Sequence, residues 1–187
     1  MFERVARGFL RLAGWQAEGA KPHLRRFVMI GAPHTSNWDF VFMLAFAAVL
    51  DVKFTWLGKH ALFRPPLGWL MRRLGGIPVV RHRRENLVSR MARLFETRES
   101  LALTLSAEGT RRYTPHWKSG FYHIARAANV PIVLGYLDYA RRRGGFGPAI
   151  LPSGDIRSDM DEIRDFYADK TARHPDWVGE VRLKEEM

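Results

Sequence analysis

The apolar positions of this chain switch between helical and strand spacing, and the switches mark out its elements. Phe2, Val5, Phe9, Leu12 and Ala13 fall on one helical face, with Arg4, Arg7 and Arg11 on another. The pattern predicts an amphipathic helix over 2–13, suited to packing on a core or to lying in a lipid interface. Residues 26–30 and 53–57 read as strands, with an apolar helix over 37–50 between them. Pro65-Pro66 opens a short helix that Gly75-Gly76 closes, and 77–80 is a strand. Leu87, Met91, Leu94 and Phe95 recur at helical spacing and predict a helix over 84–98. The apolar run 101–105 reads as a buried strand. A helix at 118–128, a strand at 131–137, a glycine-rich turn at 144–148, a strand at 149–151 and a helix at 159–173 complete the chain. Such alternation predicts an α/β fold, a sheet flanked by helices. No repeat, low-complexity segment or linker interrupts it, so 1–187 is expected to form a single domain.

Composition removes several chemistries. With 47% hydrophobic and 26% charged residues the chain is globular in character. It has no cysteine, which excludes a disulfide framework, a thiolate nucleophile and cysteine-ligated zinc. The longest apolar run, 40–50, is well short of the ~20 residues that span a bilayer. Arginines spread through the N-terminus, and no small-residue cleavage site follows, so no signal peptide is expected. Charge is placed unevenly. Residues 155–187 carry 6 basic and 10 acidic side chains, whereas residues 1–154 carry 24 and 9. A basic portion of this size favours an anionic partner: nucleic acid, an acidic membrane or an acidic substrate.

Both chemistry-bearing blocks sit in that basic portion. In His34-Thr-Ser-Asn-Trp-Asp39 four residues separate an imidazole from a carboxylate. At a helix start this spacing lets Asp39 hold the ring nitrogen that does not react, leaving the other as a base. Ser36 and Asp39 also match a capping box, the bland explanation of the pair. In Glu108-Gly-Thr-Arg111, Gly109 admits close backbone approach, and Thr110 and Arg111 can donate to a phosphate. The bland explanation there is a polar turn after a strand. No Gly-x-Ser-x-Gly elbow, His-Glu-x-x-His pair or phosphate-loop motif is present, and no histidine has metal-ligand spacing. No metal or cofactor is therefore expected.

These blocks, in this order, resemble the glycerolipid/lysophospholipid acyltransferase superfamily. His34-x4-Asp39 is similar to its catalytic block, and Gly76-Ile-Pro-Val-Val-Arg81 to its second block. Glu108-Gly-Thr-Arg111 is similar to the third, and Val130-Pro-Ile-Val133 to the fourth. The resemblance runs over about 30–140. Two departures stand out: Ser106-Ala107 replaces the usual aromatic or aliphatic residue and proline, and the 2–13 helix stands where many members carry a long apolar anchor. The resemblance implies a glycerolipid acyltransferase-like fold and transfer of a fatty acyl group from acyl-CoA or acyl-carrier protein to the hydroxyl of a lysophospholipid or glycerol-phosphate-type acceptor. It makes His34 and Asp39 catalytic, and Arg81, Glu108, Gly109, Thr110 and Arg111 the grip on the acceptor. Backbone amides near the helix start are candidate oxyanion donors. The chain is then expected in the cytoplasm, peripheral at the inner face of the cell membrane and drawn to anionic lipid. A lipid-binding or thioester/ester hydrolase relative of the same fold is the alternative. A basic nucleic-acid-binding protein is the third reading, but no recognition-helix or aromatic RNA-binding signature accompanies the arginine runs, so no nucleic-acid partner is expected.

Overall fold

The computed structural model describes residues 2–79 and 87–187. Arg81, the end of the 77–80 strand and the start of the 84–98 helix lie outside the described residues.

The core is a seven-stranded sheet. In chain order its strands are β1 (Gln16–Glu18), β2 (Arg26–Ala32), β3 (Phe54–Lys59), β4 (Gly76–Val79), β5 (Leu101–Ser106), β6 (Ile132–Asp138) and β7 (Arg143–Ile150). Their spatial order is β1-β7-β6-β2-β5-β3-β4. β6, β2, β5, β3 and β4 are mutually parallel, β7 is antiparallel to β6, and β1 runs parallel to β7. Val28, Ile30, Leu103, Ile132 and Leu134 are fully buried, as expected of central strands covered on both faces. Over one face lie α4 (Leu87–Glu96), α5 (Gly120–Ala128) and α6 (Ile156–Tyr167), anchored by Met91, Phe95, Phe121, Tyr122, Met160 and Ile163. Over the other lies α2 (Trp38–Val49), whose Met43 and Ala47 meet Phe27, Met29 and Phe54 of the sheet.

α1 (Phe2–Leu12) packs on the outside of α2 by a face turned from the one its periodicity marks: of that face only Phe9 and Ala13 join the contact, Phe9 against Phe42. Ala6 and Leu10 are the buried residues, clustered with Trp15, Phe42 and Phe46, while Phe2, Val5 and Leu12 stay exposed. Small Ala6 lets the two helices approach, and the rings of α2 and Trp15 fill the seam.

Two stretches depart from the sequence reading. The glycine-rich 144–148 is not a turn but the body of β7. Its glycines serve close approach: a Cβ on Gly145 would lie 1.8 Å from the Glu18 carbonyl oxygen, and one on Gly147 would lie 2.3 Å from the Phe166 ring. The register with β6 slips between Val133 and Gly135, opposite Pro148, where a ladder can dispense with an N–H. The last helix begins earlier than 159 because Asp155 caps it, accepting from the amides of Arg157 and Ser158. It ends at Tyr167, after which the chain turns back: the Tyr139 amide donates to the Thr171 carbonyl, and the His174 amide to Thr35 Oγ1. That return brings the C-terminal segment over the loop that carries His34.

Candidate active site

In parallel sheets, groups that act on a ligand gather beyond the carboxyl ends of the strands. β2 and β5 are neighbours, with Gly31 opposite Ser106. β2 therefore delivers His34, and β5 delivers Glu108, to the same edge.

Asp39 sits in the first turn of α2, almost wholly buried, and its carboxylate is saturated with donors. Oδ2 accepts from the Thr35 amide (2.9 Å) and the Ser36 amide (2.8 Å), and lies 3.1 Å from His34 Nδ1. Oδ1 accepts from the Tyr139 hydroxyl at 2.6 Å. Burial pushes the Asp39 pKa up, but the hydrogen bonds from His34, Tyr139 and the Ser36 amide outweigh it and hold the group below the ordinary carboxylate value. An ionised acceptor against Nδ1 requires Nδ1 to carry the hydrogen. The bare lone pair then lies on Nε2, and about a quarter of the His34 side chain is open to solvent. The capping-box reading is met only on the carboxylate side. Asp39 takes the Ser36 amide, while Ser36 Oγ accepts from the Trp38 amide at 3.2 Å. The amides of Thr35, Ser36 and Trp38 are thus engaged within the loop, so these three amides near the helix start are already spent.

Glu108 lies beneath the same loop. Its Oε1 accepts from the His34 amide at 2.8 Å, and Oε2 from Ser106 Oγ at 3.2 Å. Only 4% of the residue is exposed, and burial raises its pKa. Ser106-Ala107, the departure noted above, is accommodated closely: Ala107 is buried and its carbonyl accepts from the Lys118 amide. Gly109 has φ +67°, a left-handed conformation for which glycine is suited, and a Cβ there would come 3.2 Å from Lys118 Cγ. Thr110 Oγ1 accepts from the Arg112 amide. Arg111 is exposed and forms no ion pair among the described residues. Arg81 lies outside the described residues. β4, which precedes it, is three strands from β2, roughly 15 Å across the sheet.

The structure therefore gathers His34, Asp39 and Glu108 into one hydrogen-bonded unit, with Gly109, Thr110 and Arg111 on the loop that leaves it. Sequence reasoning missed Tyr139, 100 residues from Asp39 and outside every motif. It missed equally the Arg173 guanidinium, 5.9 Å from the ring centroids of both Trp38 and Tyr139. Neither carries a local signal: the loop after β6 delivers Tyr139, and the turn after Tyr167 delivers Arg173.

Comparison with known proteins fits this arrangement. The family profile described as "Acyltransferase" matches residues 18–134, which contain both blocks. The crystal structure of the 1-acyl-sn-glycerophosphate (LPA) acyltransferase PlsC from Thermotoga maritima superposes with a TM-score of 0.62. The match covers 92% of this chain and 79% of that one at 14% identity, so the likeness is one of fold. No curated protein matches the sequence significantly. Since the family match takes in well over half of the chain together with His34, Asp39 and 108–111, the chain belongs to the acyltransferase family.

Proposed function

We propose that this acyltransferase moves a fatty acyl group from acyl-CoA or acyl-carrier protein to the hydroxyl of a lysophospholipid or glycerol-phosphate-type acceptor, directly and without an acyl-enzyme. His34 is the general base. As the acceptor oxygen bonds to the thioester carbonyl carbon, its proton passes to Nε2. The tetrahedral intermediate then collapses with cleavage of the carbon–sulfur bond, and the departing thiolate takes that proton from the imidazolium. Asp39 holds the imidazole by Nδ1 and stabilises its charge while it carries the proton. The observation that carries the reading is the Asp39 carboxylate, buried, four times hydrogen-bonded and set against Nδ1. A plain helix cap needs no imidazole and no distant tyrosine.

Tyr139 and Glu108 are positioning residues in this reading. Tyr139 fixes the rotation of the Asp39 carboxylate through Oδ1, and Glu108 fixes the backbone of His34. Gly109, Thr110 and Arg111, with Arg81, hold the acceptor's phosphate. Both donors are acidic and suit the basic 1–154 portion. The protein works at the inner face of the cell membrane, on its anionic surface. No helix among the described residues is long and apolar enough to cross a membrane, which fits peripheral attachment.

Incubation of the pure protein with labelled acyl-CoA and a panel of lysolipids tests the reading. Esterified lipid is expected; free fatty acid alone would assign a hydrolase. His34→Ala should lower turnover by ~10²–10⁴-fold with the fold intact, the usual worth of positioned proton transfer. Full activity in that variant would refute the mechanism.

A further inference from the structure

The crossover from β3 to β4 leaves the same carboxyl edge of the sheet as the loop carrying His34. It comprises a 3₁₀ turn (His60–Phe63), Pro65-Pro66 and a short helix, α3 (Gly68–Arg73). This segment is braced on itself. Phe63 is buried at its centre, the Gly68 amide donates to the Arg64 carbonyl, and the Arg72 guanidinium donates to the carbonyls of Phe63 and Gly68 while lying over the Phe63 ring. A Cβ on Gly68 would stand 2.1 Å from the Phe63 carbonyl oxygen, so the two arms touch through backbone.

With Phe63 turned inward, Leu62, Leu67 and Trp69 are left outside, 49%, 59% and 67% exposed. Single exposed apolar residues are ordinary on a protein surface. Three within eight residues of a self-braced loop, one of them tryptophan, form a concentrated feature. The charge along this stretch of sequence has one sign. Residues 52–84 contain eight Lys or Arg and no Asp or Glu, and Lys59, Arg64, Arg72 and Arg73 are exposed beside the apolar three. Outward apolar side chains rimmed by arginines, with a tryptophan among them, are built for the boundary of an anionic bilayer. There the aliphatic groups enter the acyl region, the indole sits at headgroup level and the guanidinium groups meet lipid phosphate. An acidic protein would satisfy the arginines but would have no use for three protruding apolar groups without a recess to receive them.

We propose that the β3–β4 crossover is the element by which this protein docks on anionic lipid, with Leu62, Leu67 and Trp69 inserted and Arg64 and Arg73 on the headgroups. The inference deepens the proposed function by saying which edge meets the membrane, and it rests on that reading only for its purpose. α1 is the competing element, with Phe2, Val5 and Leu12 exposed, but one of its arginines, Arg7, is paired with Glu3, whereas the crossover carries no acidic residue.

Binding is measured without turnover, so its failure is distinct from failure of the acyltransferase reading. The full chain is co-sedimented with vesicles of neutral phosphatidylcholine and with vesicles containing roughly one-third phosphatidylglycerol. Binding is expected only to the anionic vesicles and to weaken with salt. Arg64→Ser and Arg73→Ser should each reduce partitioning about fivefold, and Leu67→Ser/Trp69→Ser should reduce it ~10-fold or more at unchanged melting temperature. Brominated acyl chains should quench part of the tryptophan emission, and Trp69→Phe should abolish that part while still binding. The proposal is overturned by equal binding to neutral vesicles, by quenching that survives Trp69→Phe, or by undiminished binding of the double variant. Loss of binding in Phe2→Ser/Val5→Ser, with Leu67→Ser/Trp69→Ser unaffected, would move the docking role to α1.

Discussion

Replacing Tyr139 by phenylalanine isolates one hydrogen bond of the site. The ring of Tyr139 packs edge-on against Trp15, with centroids 4.9 Å apart, and against Phe42 at 6.1 Å, and phenylalanine keeps those contacts. The lost group is the hydroxyl that donates to Asp39 Oδ1 at 2.6 Å. A hydrogen bond to a charged, buried acceptor contributes about 1.5–3 kcal/mol. Expressed wholly in the transition state, that would be ~10–100-fold in rate. Three of the four donors to the carboxylate, all on Oδ2, remain, so the lower end is expected: kcat falls ~10-fold and neither KM moves. Acid unfolding provides a second readout. The folded-state pKa of Asp39 lies below its ordinary value, with the Tyr139 hydrogen bond among the causes. This carboxylate therefore stabilises the fold above its unfolded pKa and ceases to do so as pH falls through the folded one. Losing the hydroxyl raises the folded pKa, so the variant should begin to unfold at higher pH than the wild type. Steady-state kinetics with both substrates varied, alongside acid titration followed by circular dichroism, measures both effects. A Tyr139→Phe protein with wild-type kcat, assayed where His34→Ala is inactive, would reduce Tyr139 to a packing residue and refute the reasoning.

Other substitutions separate positioning from substrate contact. Glu108→Gln keeps an acceptor for the His34 amide and should remain within severalfold of wild-type turnover. Glu108→Ala leaves that amide unpaired at a cost of about 1–3 kcal/mol and should lower kcat and melting temperature together. Equal damage from Gln and Ala would instead assign the Glu108 charge to the acceptor. Arg111→Ala should raise the acceptor KM ~10–100-fold with little change in the donor KM; a wild-type protein that acylates neutral and phosphorylated acceptors equally would dismiss the phosphate grip.

What was legible in the sequence was whatever a short window could carry. The apolar runs at 26–30 and 101–105 had no polar face to hide and fell on β2 and β5, and the alternation of elements gave the α/β class. The His34-to-Asp39 spacing fell at a helix start because Asp39 accepts from the amides of Thr35 and Ser36, a local arrangement. What was not legible depended on approach between distant segments. The glycines of β7 resemble a turn in composition, and only contact with Glu18 and Phe166 explains them. β1 is three residues long and largely exposed, so it carried no period to detect. Tyr139 and Arg173 reach the site through tertiary return of the chain, for which no spacing rule exists.

The uneven charge noted in the sequence acquires a structural meaning. Several acidic residues of the C-terminal portion are spent on internal pairs: Asp169 with Arg141 and Lys170, and Asp161 and Glu186 with Arg164. Asp138 pairs with Arg141 on the way. The Arg141 pair with Asp169 ties the returning segment to the loop after β6, the same loop from which Tyr139 reaches Asp39, and the Arg164 pair with Glu186 ties α6 to the C-terminal residues. Arg64, Arg73 and Arg111, at the opposite end of the distribution, form no ion pair among the described residues. Exposed pairs contribute little to stability, so leaving these arginines without one costs the fold almost nothing. Their charge stays available for a ligand: Arg111 stands on the loop that leaves Glu108, and Arg64 on the crossover that departs from the same edge of the sheet. Positive charge is thus consumed at Arg141, beside the loop that carries Tyr139, and left free on Arg64 and Arg111, where the proposed lipid surface and acceptor phosphate would meet it.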